Sequence, residues 1–106
     1  MLFSFFYRSG ESPDGGLAID KAGNLYGTTS YGGDATKGLG TVFQLVPPAD
    51  AGSHWKFTDL HTFTNPNGIV PIAGVTIDPD NKVIYGTTSG FYYIPQNGGT
   101  VFSLTF

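Results

Sequence analysis

The sequence predicts an all-β chain built of two tandem four-stranded antiparallel units, each like a blade of a β-propeller. Three observations predict this. First, the chain repeats itself. Leu25-Tyr26-Gly27-Thr28-Thr29-Ser30 returns as Ile84-Tyr85-Gly86-Thr87-Thr88-Ser89, and Gly40-Thr41-Val42-Phe43-Gln44-Leu45 returns as Gly99-Thr100-Val101-Phe102-Ser103-Leu104, both 59 residues later. Upstream the spacing is 58: Pro13 matches Pro71, Gly16 matches Gly74, Ile19 matches Ile77, and Leu2-Phe3-Ser4-Phe5 matches Leu60-His61-Thr62-Phe63. One residue is therefore inserted in the second copy, in the turn between residues 78 and 82, where insertion costs little. Second, no apolar residues recur at helical spacing over ten or more positions. Third, 16 glycines and 7 prolines punctuate short runs rich in Val, Ile, Thr, Tyr and Phe, the pattern of strands and turns.

The elements follow in order. Residues 16–20 read as the first strand of unit one, closed by a turn at Lys21-Ala22-Gly23-Asn24. Residues 25–30 are the second, rich in the strand formers Tyr and Thr. A loop covers residues 31–39, and residues 41–46 are the third strand, ended by Pro47-Pro48. Residues 55–64 are the fourth; strict alternation places Trp55, Phe57, Asp59, His61 and Phe63 on one face and Lys56, Thr58, Leu60, Thr62 and Thr64 on the other. Unit two repeats three strands at 74–78, 83–89 and 100–106. Its fourth strand has no counterpart at the C-terminus but has one at the N-terminus. The expectation is that residues 2–7 pair antiparallel with residues 100–106 and complete the last unit. The chain then reads as a single all-β repeat region, residues 1–106, with unit one at 8–64 and unit two at 65–106 plus 1–7. Tandem four-stranded units are what propellers are made of, although a period near 58 is longer than the roughly 40–50 residues of common blades.

Composition narrows the function. The chain has 106 residues, no cysteine and a net charge of −3, so disulfide scaffolds and thiolate metal sites are excluded. Its five basic residues are scattered, which leaves no footprint for nucleic acid, and no apolar run reaches the roughly 20 residues of a membrane-spanning helix. The apolar start ends at Arg8 and has no basic residue before it, unlike a signal peptide; on this ground a cytoplasmic location stays open.

At Gly16-Leu17-x-x-Asp20, Gly23-Asn24-Leu25-Tyr26-Gly27-Thr28-Thr29, Gly32-Gly33 and Gly40-Thr41-Val42-Phe43-x-Leu45, the chain resembles the bacterial choice-of-anchor tandem-repeat family with the GloVer repeat. The likeness covers nearly the whole chain in two units. It implies an exported, surface-attached protein with many such repeats, and brings no catalytic residue or ligand with it. The second copy departs from the pattern: Phe91-Tyr92 stands where Gly32-Gly33 does, and Asn81-Lys82 where Gly23-Asn24 does. A weaker likeness links the first two strands to NHL-type blades.

Candidate sites are few. Asp20 and Asp78 open equivalent turns, and Asp78-Pro79-Asp80-Asn81 has a faint look of a calcium loop. The further ligands and bidentate Glu of such a loop are missing, so both read as Asx turns. His54 and His61 lie seven apart, on opposite faces of a strand, with no third ligand; no metal site and no cofactor are expected. Thr28-Thr29 and Thr87-Thr88 read as cross-strand hydrogen-bonding pairs rather than a ligand-facing row. Tyr26, Tyr85, Phe43 and Phe102 recur at equal positions, as packing between neighbouring units requires. The loops between second and third strands differ most. One holds Tyr31 and Asp34, the other the run Phe91, Tyr92 and Tyr93. Aromatic faces beside a carboxylate suit stacking on sugars or peptides, so these five are the ligand-binding candidates, set against a reading as a local cluster capping the sheet edge.

The functional expectation is a non-catalytic, propeller-like repeat segment of an exported or surface bacterial protein, serving binding (carbohydrate or protein) or structural display. Part of a propeller enzyme, a lyase or glycoside hydrolase, is the alternative. It needs converging acids, and the chain has one glutamate, Glu11. Two units leave open faces, so further repeats in a longer chain or association of copies is expected, with collapse of the two sheets onto each other as a sandwich the remaining route.

Overall fold

The computed structural model describes residues 1–33, 38–50, 52–64, 69–78, 80, 82–90 and 98–106. After a 3₁₀ turn at Tyr7–Ser9, seven strands follow among the described residues: β1 (Ala18–Ile19), β2 (Leu25–Thr29), β3 (Thr41–Val46), β4 (Lys56–Thr62), β5 (Thr76–Asp78), β6 (Val83–Thr88) and β7 (Thr100–Thr105). They form two antiparallel sheets, one of four strands in the order β1-β2-β3-β4 and one of three in the order β5-β6-β7. The fold is all-β, and no α-helix occurs among the described residues.

The pairing accounts for the repeated motif residue by residue. Gly27 lies opposite Phe43, and Gly86 opposite Phe102. A Cβ on Gly27 would stand 2.7 Å from Cζ of Phe43, and one on Gly86 2.5 Å from Cζ of Phe102. The glycine is there so that the ring can lie across its strand. Two positions on, Thr29 faces Thr41 and Thr88 faces Thr100. Each pair shares a hydroxyl–hydroxyl bond of 2.8 Å, and the Thr41 and Thr100 N–H groups donate to the hydroxyls of Thr29 and Thr88. Thr29 and Thr88 are thus cross-strand hydrogen-bonding residues, as their positions predict, whereas the Thr28 hydroxyl donates to the Ala73 carbonyl at 2.9 Å and Thr87 is exposed.

Alternation along β4 breaks once. Val42 pairs with His61 but the next residue, Phe43, pairs with Asp59, so Leu60 is an extra residue. Such a bulge sends every later side chain to the opposite face. Phe57 therefore stays with Phe43 on the outer side of the first sheet, with ring centroids 6.1 Å apart. Phe63 turns to the second sheet and meets Phe102 edge-on at 5.2 Å. The strict alternation expected of this strand, with Phe57 and Phe63 on one face, is corrected by that single insertion.

The sheets pack face to face. Tyr26, Val42 and Phe63 of the first unit and Ile84 of the second form the buried centre, with Val75, Ile77, Phe102, Leu104 and Phe106 against it. Of the repeated aromatics, Tyr26 and Phe43 are buried, Phe102 is half-buried and Tyr85 is exposed, so packing claims three of the four.

The N-terminal segment departs from expectation. Residues 1–6 form no strand, and β5–β7 remains three-stranded. Phe3 stacks on Phe57 at 4.5 Å and Phe5 meets Phe43 at 4.9 Å. Both rings lie on the side of the first sheet that faces away from β7, so residues 2–7 do not complete the last unit within the chain. The aromatic face of the first sheet holds them instead.

The bulge makes a prediction. Phe63→Ala empties the intersheet core and should cost about 3–5 kcal/mol, and Phe57→Ala, on a half-buried outer ring, should cost clearly less. Urea unfolding of the two variants checks this; equal losses would contradict the assignment of the two rings to opposite faces.

Candidate binding surface

Both loops that carry the candidate residues begin at one end of the paired sheets. After β2, the Ser30 N–H donates to the Ser12 carbonyl at 3.0 Å, and Tyr31 and Glu11 exchange backbone bonds of 3.2 and 2.8 Å. After β6, the Ser89 N–H donates to the Val70 carbonyl at 2.9 Å and the Gly90 N–H to the Ile69 carbonyl at 3.1 Å. The two arrangements are copies: Ser12 and Val70, 58 residues apart, both have φ of 58°. For a β-branched residue this backbone is an outlier. Val70 is held there by its N–H bond to Leu39 at 2.9 Å and by the bond from the Ser89 hydroxyl to its carbonyl at 3.1 Å.

The strip at residues 69–71 joins the two loop mouths. The Ser30 hydroxyl donates to the Pro71 carbonyl at 3.5 Å and to Asp14 at 3.2 Å, while Ser89 and Gly90 bond to Val70 and Ile69. Of the five residues predicted from the loops, Tyr31 stands exposed at this end. Asp34, Phe91, Tyr92 and Tyr93 lie outside the described residues.

The repeated aspartates are turn residues. Oδ1 of Asp20 accepts the N–H groups of Ala22 and Asn24, each at 2.9 Å. Its Oδ2 accepts from the Asn24 amide and from the Tyr26 hydroxyl, also at 2.9 Å. The Tyr26 oxygen in turn accepts from Nε2 of Gln44 at 3.0 Å. Burial pushes the Asp20 carboxyl up, but the side-chain and backbone bonds from Asn24, with those from Tyr26 and Ala22, outweigh it and hold the group below its ordinary value. Burial raises the Tyr26 phenol; the Gln44 bond opposes this, and the bond and charge of Asp20 add to it. In the second unit, Oδ1 of Asp78 accepts the Asp80 N–H at 3.2 Å, the start of an Asx turn. Among the described residues no three His, Asp or Glu side chains gather as metal ligands would. His61 packs edge-on against Phe63 at 4.8 Å.

The remaining features are apolar clefts. One of about 210 Å³ opens between the sheets beside His61, Phe63 and Phe102. One of about 320 Å³ lies on the outer face of the first sheet, lined by Leu2, Phe5, Leu17, Phe43 and Leu45 among others. A third, about 300 Å³, is a shallow groove on the outer face of the second sheet at Gly74, Tyr85, Thr87 and Val101. The candidate residues chosen from the sequence include none of these outer-face residues. The signal that finds them is the fate of repeat-equivalent positions, buried in one unit and bare in the other.

No protein family, no curated protein and no solved structure matches this chain.

The Asp20 network sets a pH dependence. A carboxyl held below its unfolded value adds stability that is present above the unfolded value and is lost as pH falls through the folded one. Asp20→Ala should therefore lower stability by about 1 kcal/mol near neutrality, and its deficit against the wild type should shrink between about pH 5 and pH 2. Thermal melts across that range measure it.

Proposed function

We propose that this chain is a non-catalytic, propeller-like repeat segment of an exported or surface bacterial protein, and that it binds a ligand at the end of the sheets where the loops after β2 and β6 emerge. One observation supports the placement: both loop mouths are tied to the same strip, residues 69–71, by the bonds of Ser30, Ser89 and Gly90. Tyr31 and the run Phe91-Tyr92-Tyr93 thus belong to loops that leave from neighbouring anchors. Clustered aromatic side chains with a carboxylate nearby offer flat apolar faces and a hydrogen-bond acceptor, the chemistry that takes sugar rings or peptide side chains. The repeat resemblance supports the exported setting and the wider propeller-like architecture. Structural display is served by the same scaffold, because the motif residues are spent on strand pairing and leave the loops free to vary.

Affinity electrophoresis through gels containing neutral polysaccharides tests the binding. Retardation by at least one polysaccharide is expected. It should weaken about two- to tenfold in Tyr31→Ala and vanish in a chain with Phe91, Tyr92 and Tyr93 all changed to Ala. No reducing ends should be released. Mobility that no polysaccharide alters, or retardation that survives the loop changes, would argue against this end as the site.

A further inference from the structure

The two sheets meet with unlike faces. The side of the second sheet that bears Phe102 and Leu104 lies on the side of the first that bears Tyr26 and Val42. Because the units are repeats, each one owns both halves of this contact. Val75 and Ile77 pack on the shared core, while Leu17 and Ile19, their equivalents 58 residues earlier, are 60% and 67% exposed. Tyr26 and Val42 are 0% exposed, while Tyr85 and Val101, their equivalents 59 residues later, are 45% and 82% exposed. The Leu17 and Ile19 part of one half of a known interface is therefore bare on the outer face of the first sheet, beside Phe43 and Leu45, which are buried there. The complementary half is bare on the outer face of the second.

The N-terminal segment completes the correspondence. Phe5 meets Phe43 at 4.9 Å with an interplanar angle of 64°. Its equivalent Phe63 meets Phe102 at 5.2 Å and 68°. Further along, Ser12 and Val70 share φ of 58° and accept the same bonds from Ser30 and Ser89. Phe5, Glu11 and Ser12 thus stand to the first sheet as Phe63, Ile69 and Val70 stand to the second. Residues 60–62 close the last strand of the sheet before the second. By the same geometry, residues 2–5 hold the place of the last strand of a sheet that precedes the first. The sheet β5–β7 is three-stranded and ends at β7, where its sibling has a fourth strand.

We propose that copies of this chain assemble head to tail. The sheet β5–β7 of one copy seats Tyr85 and Val101 in the cleft formed by Leu17, Phe43 and Leu45 of a second copy, and residues 2–5 of that second copy lie along β7 as its fourth strand. The contact continues the interface already made within the chain, and neither copy has to refold to make it. It also covers an open sheet edge, which otherwise invites irregular pairing. Heterologous contacts of this kind close into a ring when the rotation permits, and a ring of about two to four chains would hold the four to eight blades of a propeller. This assembly stands independently of any ligand at the loop end.

Sedimentation velocity of the full chain at micromolar to hundred-micromolar concentration tests it, with two surface variants. Val101→Asp removes the donor face and Leu17→Asp the acceptor face; both side chains are mostly exposed, so circular dichroism melts of the separate variants should stay near that of the unassembled chain. The wild type should sediment as an oligomer, and each variant alone as a monomer. An equal mixture should form a dimer and no more, since each partner keeps the face the other has lost. Register copied from the Thr41–Thr62 pair sets Thr100 opposite Ser4 of the second copy. Ser4→Cys chains mixed with Thr100→Cys chains should therefore cross-link on mild oxidation, and the double variant should give a ladder of covalent oligomers. A monomeric wild type, a mixture that stays monomeric, a variant that still dimerises with itself, or an intramolecular disulfide in the double variant would each overturn the proposal.

Discussion

One extra residue in β4 decides how the chain is layered. Without Leu60 as a bulge, Phe63 would follow Phe57 to the outer face of the first sheet, and the space opposite Phe102 would lose its largest filler. With it, the first sheet carries aromatic side chains on both faces: Phe43 and Phe57 outward, Tyr26 and Phe63 inward. A sheet apolar on both faces is an interior layer and needs cover on each side. The second sheet covers one side. Phe3 and Phe5 cover part of the other, and the cleft beside them at the exposed Leu17 marks where that cover runs out.

The second sheet shows what the same sequence pattern does with only one neighbour. Its strands alternate cleanly, with Phe102 and Leu104 inward and Val101, Ser103 and Thr105 exposed. The substitutions between repeats follow this difference. Gln44, which donates to the buried Tyr26 hydroxyl, is replaced by Ser103, opposite an exposed Tyr85. A buried phenol needs a partner for its oxygen, whereas an exposed one has water. Lys82, with φ of 54°, takes a left-handed turn position beside β6 of the kind that Gly23, at 88°, takes beside β2. The lysine carries a backbone cost that a glycine would not.

Much of this was legible in the residues. The repeat spacing and the alternation at residues 55–64 located all seven strands to within a few positions, and the alignment of Gly27 with Phe43 and Thr29 with Thr41 is implicit in the recurrence of both blocks at one offset. The turn reading of Asp20 needed only the Asn and Gly that follow it. Two features were not legible. A bulge leaves no mark in composition, because Leu60 fits either face of a strand by hydrophobicity alone. The kinship of residues 2–5 with 60–63 was visible, but kinship names a strand's place within a unit and not the sheet it serves. Closure onto β7 satisfied the count of strands; the aromatic face of the first sheet lay nearer along the chain and took Phe3 and Phe5. The candidate loop residues other than Tyr31 fall outside the described residues, so the repeat comparison locates that end through its anchors alone.

The motif also limits what its recurrence can mean. Tyr26, Gly27, Thr28 and Thr29 are each accounted for by a cross-strand or intersheet partner: the Gln44 amide, the Phe43 ring, the Ala73 carbonyl at 2.9 Å and the Thr41 hydroxyl. Residues committed in this way are repeated because every unit must pair its strands and meet the next unit, whatever the chain binds. Information about a ligand has to lie where the units differ, and they differ most between the second and third strands. A scaffold of this kind separates two demands on one sequence. The strands carry the rules of stacking, which must be the same in every unit for unlike faces to fit. The loops are not bound by those rules, and they are free to differ from unit to unit.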